Sequence, residues 1–156
     1  MRNTKPKKKQ IKIALQIISR KSFIPTRYYL QRWINKALIN RTSLTNITLR
    51  IVNKKESIYL NETYRHKRGP TNILSFPFEP PPDVYSPLLG DLVICAELVN
   101  KEAKQQQKTR LAHWAHLIIH GCLHLIGYDH ILSKEALKME TLEIQLLEEL
   151  GYENPY

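Results

Sequence analysis

Hydrophobic and polar residues alternate in two short segments near the start of the chain. Every second residue is apolar from Ile11 to Ile17, and again from Ile47 to Ile51. A period of two residues is typical of a strand with one buried face. Two further strands are predicted over residues 71–78 (TNILSFPF) and about 91–95, where the chain is rich in β-branched residues. The chain is therefore expected to contain a sheet of about four strands.

Five other segments are predicted to be helical, and one of them has an unusual composition. The five helices are expected over residues 25–40, 54–64, 97–107, 109–126 and 133–150. The segment 109–126 is apolar nearly all round, which predicts a buried central helix. Gly127 is expected to end that helix, because glycine readily adopts the left-handed conformation of a C-terminal cap.

The order of these elements predicts the fold class. Helices and strands alternate without a strict parallel repeat, which favours an α+β domain with a mixed sheet packed against helices. The length of 156 residues fits one domain. We expect residues 1–9 to form a flexible basic tail and residues 10–156 to form the single domain.

Charge is distributed unevenly along the chain. Residues 1–68 carry 18 Lys and Arg against 2 acids, a balance of +16, and residues 69–156 carry 6 against 12, a balance of −6. The total of +10 suggests an anionic partner, nucleic acid before membrane. A lysine-rich genome would produce the same bias, so charge alone leaves the partner open.

Other features of the composition exclude several protein classes. With 42% hydrophobic and 24% charged residues, the chain is neither fibrous nor wholly disordered. Cys95 and Cys122 lie in apolar segments, which indicates reduced structural thiols and not a disulfide framework. The most apolar stretch, 111–128, contains four histidines and is therefore not expected to span a membrane. These features favour a cytoplasmic protein.

The segment HGCLHLIGYDH (120–130) contains the candidate chemistry. His120 and His124 are four residues apart, so on a helix both rings project from one face, and His130 follows the Gly127 stop. Three imidazoles without a fourth protein ligand describe a catalytic zinc site with an open position, although nickel, iron or copper would also accept them. The alternative is that these histidines are buried structural residues.

The residue after His120 bears on the kind of reaction. A zinc protease helix carries a glutamate there as general base, whereas this chain has Gly121. Cleavage of a phosphodiester depends more on charge neutralisation and positioning, which a metal and an arginine supply. A phosphate substrate is therefore favoured over a peptide.

Four segments together resemble the YbeY family of bacterial endoribonucleases. They are LNETYRHKRGPTNILSFPF (60–78), LLGDLVICAELVNKEAKQQ (88–106), HWAHLIIHGCLHLIGYDH (113–130) and LGYENPY (150–156). These motifs occur in the order and spacing of the family, and they extend over residues 60–156, about two-thirds of the chain. Residues 1–53 match only in their strand–helix–strand rhythm.

The resemblance implies a specific function and site. It implies a single-strand-specific endoribonuclease that matures the 3′ end of 16S ribosomal RNA and takes part in late-stage quality control of the 70S ribosome. One Zn²⁺ per chain would be held by His120, His124 and His130, and Arg65 would contact phosphate. The implied partners are single-stranded RNA, ribosomal RNA and the small ribosomal subunit with its proteins, with no nucleotide cofactor and no membrane.

Two alternatives and one departure from the family accompany this hypothesis. The chain could instead be an RNA-binding ribosome assembly factor with a structural metal, or a zinc peptidase, and Arg65 could merely cap a helix end. Family members often have an acid before the PTN motif, where this chain has Arg68 and Gly69, which puts an ion pair with Arg65 in doubt. Asp129 could orient a ligand or form a turn, and His116 could contact substrate or be structural. The residues expected to line a basic approach to the metal are Lys5, Lys7, Lys8, Lys9, Lys54, Lys55, Arg65, Lys67 and Arg68.

Overall fold

The structure, a computed structural model, describes residues 9–156, and its centre is a four-stranded sheet. The strands are β1 (Lys12–Ile17), β2 (Asn46–Val52), β3 (Ile73–Pro77) and β4 (Leu88–Cys95). They lie in the order β1-β2-β4-β3. The first three in this order are parallel, and β3 runs antiparallel to β4 at the edge. The sheet is therefore mixed, as the sequence predicts.

Five α-helices and one π-helical turn complete the part of the chain that the structure describes. The helices are α1 (Arg27–Leu38), α2 (Lys54–Leu60), α3 (Ala96–Gln105), α4 (Arg110–Leu125) and α5 (Ser133–Glu149), and the π-helical turn (Asn61–Arg65) follows α2 directly. Within residues 9–156, no helix is both long and apolar enough to cross a bilayer. The predicted α+β single domain with about five helices is confirmed. The predicted basic tail, 1–9, lies outside the described residues except for Lys9.

Several element boundaries differ from the sequence prediction. The helix expected over 54–64 is divided, because the chain widens into the π-helical turn after Leu60. Helix α1 begins two residues after Pro25, since Thr26 is extended with a ψ of 158°. Strand β4 is longer than predicted and begins at Leu88, where it pairs with Asn46 of β2.

The main core lies on one face of the sheet, between the strands and helix α4. Trp114, Ile118, Ile119 and Leu123 of α4 are fully buried there. Helices α1, α3 and α5 add further apolar residues to the same cluster. A smaller cluster on the opposite face lies near α2 and includes Val93. The predicted buried central helix is therefore α4, and it carries the histidine motif into the interior.

Helix α4 approaches the sheet most closely at Gly121. A Cβ atom at this position would lie 2.6 Å from Ile73 Cδ1, 2.9 Å from Leu92 Cδ2 and 3.3 Å from Ser75 Oγ. The Ser75 hydroxyl also donates a hydrogen bond to the Gly121 carbonyl at 3.2 Å. The absence of a side chain thus has a packing reason: it lets α4 lie against β3.

Replacing Gly121 by alanine is expected to lower the free energy of unfolding by about 1–2 kcal/mol. Overpacking typically costs about 1–3 kcal/mol, and the better helix propensity of alanine returns only about 0.5–1 kcal/mol. Chemical denaturation measures the change. Lys138→Ala, on the exposed face of α5, is the control and should leave the free energy of unfolding nearly unchanged. A Gly121→Ala protein more stable than the wild type would contradict the close packing.

Candidate metal centre

Helix α4 places His120 and His124 side by side on one face. Their ring centroids are 4.5 Å apart, and the two Nε2 atoms are 3.0 Å apart. Both residues are partly buried, whereas the third histidine of the motif, His130, is exposed. The spacing of four residues therefore brings two nitrogen atoms to one point, as predicted.

A tight turn after α4 brings His130 to the same point. Gly127 has a φ of +99°, and the Tyr128 N–H donates to the Leu123 carbonyl at 3.0 Å, which closes the helix end. The ring of His130 then lies 5.6 Å from His120 and 4.9 Å from His124, centroid to centroid. One ring nitrogen from each of the three residues lies within 4.8 Å of the others.

Asp129 stabilises this turn and does not orient a ring. Its Oδ1 accepts hydrogen bonds from the backbone N–H groups of His130, at 2.7 Å, and Ile131, at 3.3 Å. This is an Asx turn, in which the carboxylate holds the backbone that delivers His130.

The protonation of the rings on α4 follows from their partners. Nδ1 of His120 lies 2.7 Å from a carboxylate oxygen of Glu143, and Nδ1 of His124 lies 2.9 Å from the Tyr128 carbonyl oxygen. A carboxylate and a carbonyl only accept, so both Nδ1 atoms must donate. In the neutral rings, Nε2 then carries a lone pair, and the two lone pairs face each other. Such an arrangement is repulsive by itself and fits a cation held between them.

The surroundings of His124 favour the neutral ring that ligation requires. Burial, and then the nearby rings of His120 and His130, lower the pKa of His124 below its ordinary value. Because a neutral imidazole is the metal-binding form, the donor set fits a transition-metal ion such as zinc.

Glu143 of α5 belongs to this centre, although the sequence analysis did not select it. Its side chain is fully buried and accepts hydrogen bonds from His116, His120 and Tyr156. Burial raises the pKa of Glu143, but the hydrogen bonds from His116 and His120 outweigh burial and lower the pKa to about 2. The carboxylate is therefore ionised. A signal was present, because Glu143 lies four residues after Met139 and three before Leu146 on the buried stripe of α5.

His116 has a structural position one turn before His120. Its Nε2 donates to Glu143 at 2.9 Å, and its ring packs edge-on to Tyr156. Burial and the adjacent carboxylate of Glu143 raise the pKa of Tyr156, so the Tyr156 hydroxyl keeps its proton and donates. These contacts agree with the structural role considered for His116, although the residue is only partly buried and also lines the cavity beside His120.

Arg65 and the three histidines of the motif line the same cavity, which has a volume of about 570 Å³. The π-helical turn ends at Arg65, and His66, in the left-handed conformation, then redirects the chain. The guanidinium has one long contact, 3.5 Å to the Ser75 carbonyl. Among residues 9–156, no acid lies within ion-pair distance of Arg65, in agreement with the doubt raised by Arg68. Its other donors are therefore available to a ligand.

Only part of the predicted basic approach lines this cavity. Arg65, Lys67 and Arg68 line it together with His120 and His124. Lys54, in contrast, lies 3.9 Å from Glu97 and away from the cavity. Lys5, Lys7 and Lys8 lie outside the described residues. The positive charge at the cavity thus comes from the last residue of the π-helical turn and from the short segment that joins this turn to β3.

The fold and this centre define a class of protein. A histidine cluster suited to a metal shares one cavity with arginine and lysine side chains. This combination is typical of a metal-dependent hydrolase that acts on an anionic substrate. Comparison with known families identifies the group within that class. The sequence pattern of the family described as Endoribonuclease YbeY matches residues 15–151, so the chain belongs to the YbeY family. The protein is accordingly a metal-dependent endoribonuclease, a hydrolase that acts on RNA.

A solved structure has a similar fold. The solution structure of TM1509 from Thermotoga maritima aligns with a TM-score of 0.55 at 21% identity. The alignment covers 88% of this chain and 92% of the Thermotoga chain. At this identity the likeness concerns the fold alone, and it supports the α+β architecture over nearly the whole length of both proteins.

Proposed function

We propose that the protein is a single-strand-specific endoribonuclease of ribosomal RNA that binds one Zn²⁺ per chain through His120, His124 and His130. The observation that carries the proposal is the pair of Nε2 atoms 3.0 Å apart, both on rings whose Nδ1 atoms already donate to other groups. Two lone pairs in this arrangement call for a cation. Family membership makes RNA the substrate.

The residues around the cavity have different proposed roles in binding the metal and the phosphate. The three histidines hold the metal, which when bound supplies Lewis-acid chemistry to a phosphate oxygen or to water. Arg65, which lines the same cavity, binds a non-bridging phosphate oxygen through the N–H groups of its planar guanidinium. It also stabilises the negative charge that develops during cleavage. Gly121 packs against β3 and supplies no acid, which disfavours the peptidase alternative.

The shape and charge of the cavity support a single-stranded substrate. The cavity of about 570 Å³ is lined by residues of α4 and by residues of the 61–75 segment, together with His130 and Tyr156. A phosphate between Arg65 and the histidines requires a backbone that can bend into this space, as unpaired RNA does more readily than a duplex. Contacts from Lys67 and Arg68 add affinity with little sequence choice.

Specificity for one RNA would then come from outside the cavity. We infer that 3′-end maturation of 16S ribosomal RNA and late quality control of the 70S ribosome are the processes served. The small ribosomal subunit and its proteins would present the RNA, and the enzyme would act in the cytoplasm. An assembly factor with a structural metal is the competing hypothesis, which the following experiment separates.

Removal of the metal by a chelator is expected to abolish cleavage of a single-stranded ribosomal RNA fragment, and added Zn²⁺ should restore it. The same fragment annealed to its complement serves as control and should be cut much more slowly. The 3′ ends of the products show the nucleophile: a hydroxyl or phosphate without a cyclic intermediate indicates water, and a cyclic phosphate indicates the RNA 2′-OH. Full cleavage by metal-free protein would refute the catalytic metal, and binding without cleavage in every metal state would favour the assembly factor.

A further inference from the structure

Glu143 connects two turns of α4 from beneath the histidine cluster. One carboxylate oxygen lies 2.7 Å from His120 Nδ1, and the other lies 2.9 Å from His116 Nε2. The same second oxygen accepts the hydroxyl proton of Tyr156. A single buried carboxylate is thus held by three donors from α4 and from the segment after α5.

This arrangement restricts His120 in two ways. The hydrogen bond fixes the proton on Nδ1, which leaves Nε2 as the only ring nitrogen with a lone pair. The bond also fixes the plane of the ring, because Glu143 cannot follow a rotating ring without losing His116. A carboxylate in this position further raises the basicity of the imidazole to which it is bonded.

We propose that Glu143 is a positioning residue that orients His120 toward the metal and strengthens its binding, with His116 and Tyr156 holding the carboxylate in place. The proposal rests on the proposed metal site at His120, His124 and His130. Glu143 itself touches neither metal nor RNA in this assignment, because both of its oxygens are engaged by the three donors. His124 is oriented differently, by the backbone carbonyl of Tyr128. The two proposed ligands on α4 thus depend on unlike supports, a side-chain carboxyl group of α5 for His120 and a backbone carbonyl for His124.

A different use of the same atoms is a second metal site. Ligand atoms of His116, His120 and Glu143 also lie within 4.8 Å of one another. The contacts of 2.7 and 2.9 Å are hydrogen-bond lengths, however, and the Tyr156 hydroxyl occupies the second oxygen. We therefore assign this group to positioning, and metal stoichiometry tests the assignment: one ion per chain is expected, and two ions would overturn it.

The tautomer of His120 can be observed directly in the unaltered full-length chain. Long-range ¹H–¹⁵N correlation spectra of the chelator-treated protein at neutral pH should show a proton on Nδ1 of His120, the atom that lies 2.7 Å from Glu143. A His120 ring without a proton on Nδ1 would overturn the proposal. Because the experiment needs no substitution, misfolding of a variant cannot obscure the result.

The consequence for the metal can be measured with Glu143→Gln. The amide still hydrogen-bonds His120 but lacks the charge, so affinity for Zn²⁺, measured by competition with a chromogenic chelator, is expected to fall roughly 10- to 100-fold. The d–d absorption bands of the Co²⁺-loaded variant should shift, which a merely structural change would not produce. Glu148→Gln, on the exposed side of α5, is the matched control and should bind as the wild type does.

The outcomes separate this proposal from the metal site on which it depends. If His124→Ala loses the metal while Glu143→Gln has wild-type affinity and spectrum, the metal site stands and the positioning role is wrong. If His124→Ala binds zinc as the wild type does, the metal site itself is wrong. Lower thermal stability of Glu143→Gln with unchanged zinc affinity would also overturn the positioning role.

Discussion

Replacing His124 by alanine is expected to remove the bound metal and to reduce RNA cleavage to the level of the metal-free protein. In the proposed site, His124 supplies one of three protein nitrogens, and partners that merely orient a ligand are already worth about 10- to 100-fold in affinity or activity. Loss of the ligand itself should therefore lower both by more than about 100-fold. Metal content per chain and the rate of cleavage of single-stranded ribosomal RNA are the two measurements.

The fold should survive this change, because His124 is only partly buried and its ring is not part of the apolar core. His66→Asn is the matched control: His66 is exposed, does not line the cavity and has a left-handed conformation that asparagine tolerates. Circular dichroism confirms folding of both variants. A His124→Ala protein with normal metal content and normal cleavage would eliminate the three-histidine centre.

Replacing Arg65 by alanine is expected to lower kcat/KM for single-stranded RNA on the order of 10²- to 10³-fold while the metal stays bound. Loss of one preorganised donor to a developing anion has an effect of this size. Within residues 9–156, Arg65 makes one long hydrogen bond, so its removal should cost little stability. Arg65→Lys should recover only part of the activity, since lysine keeps the charge but lacks the planar fork.

Arg32→Ala provides the control for loss of one positive charge, because Arg32 is exposed on α1 and does not line the cavity. Its effect should be small and confined to KM. If Arg65→Ala keeps both metal and full activity, Arg65 has no catalytic part, and its position would be that of an exposed residue at a helix end.

The histidine centre could be predicted because its geometry is local. His120 and His124 are one helical turn apart, and Gly127 ends α4 as the sequence indicates. The partner of His120 could not be assigned in the same way, because Glu143 lies on another helix and its distance depends on how α5 packs on α4. The position of Glu143 on the apolar stripe of α5 predicts that its side chain is buried. It does not predict which groups donate hydrogen bonds to the carboxylate.

The position of Arg65 is harder to predict from the sequence than that of the histidines on α4. A helical pattern over 54–64 is correct in kind, but the change to a π-helical turn after Leu60 depends on tertiary contacts. One of them is the hydrogen bond from the Asn61 amide to the Gly69 carbonyl at 2.9 Å, between residues eight positions apart. The direction of the Arg65 side chain therefore depends on how the chain turns back toward β3. The spacing of apolar residues in the sequence does not predict that turn.

The hydrogen bond from His124 Nδ1 to the Tyr128 carbonyl links two equilibria. One bond both orients a proposed ligand and holds the turn that delivers another, His130. Metal occupancy and the order of residues 127–131 are then thermodynamically coupled, so zinc would stabilise this segment by mass action. At a free zinc concentration of a hundred times Kd, the gain is about 2.7 kcal/mol. A protease is then expected to cleave within residues 127–131 more slowly in the zinc-loaded protein than in the metal-free protein.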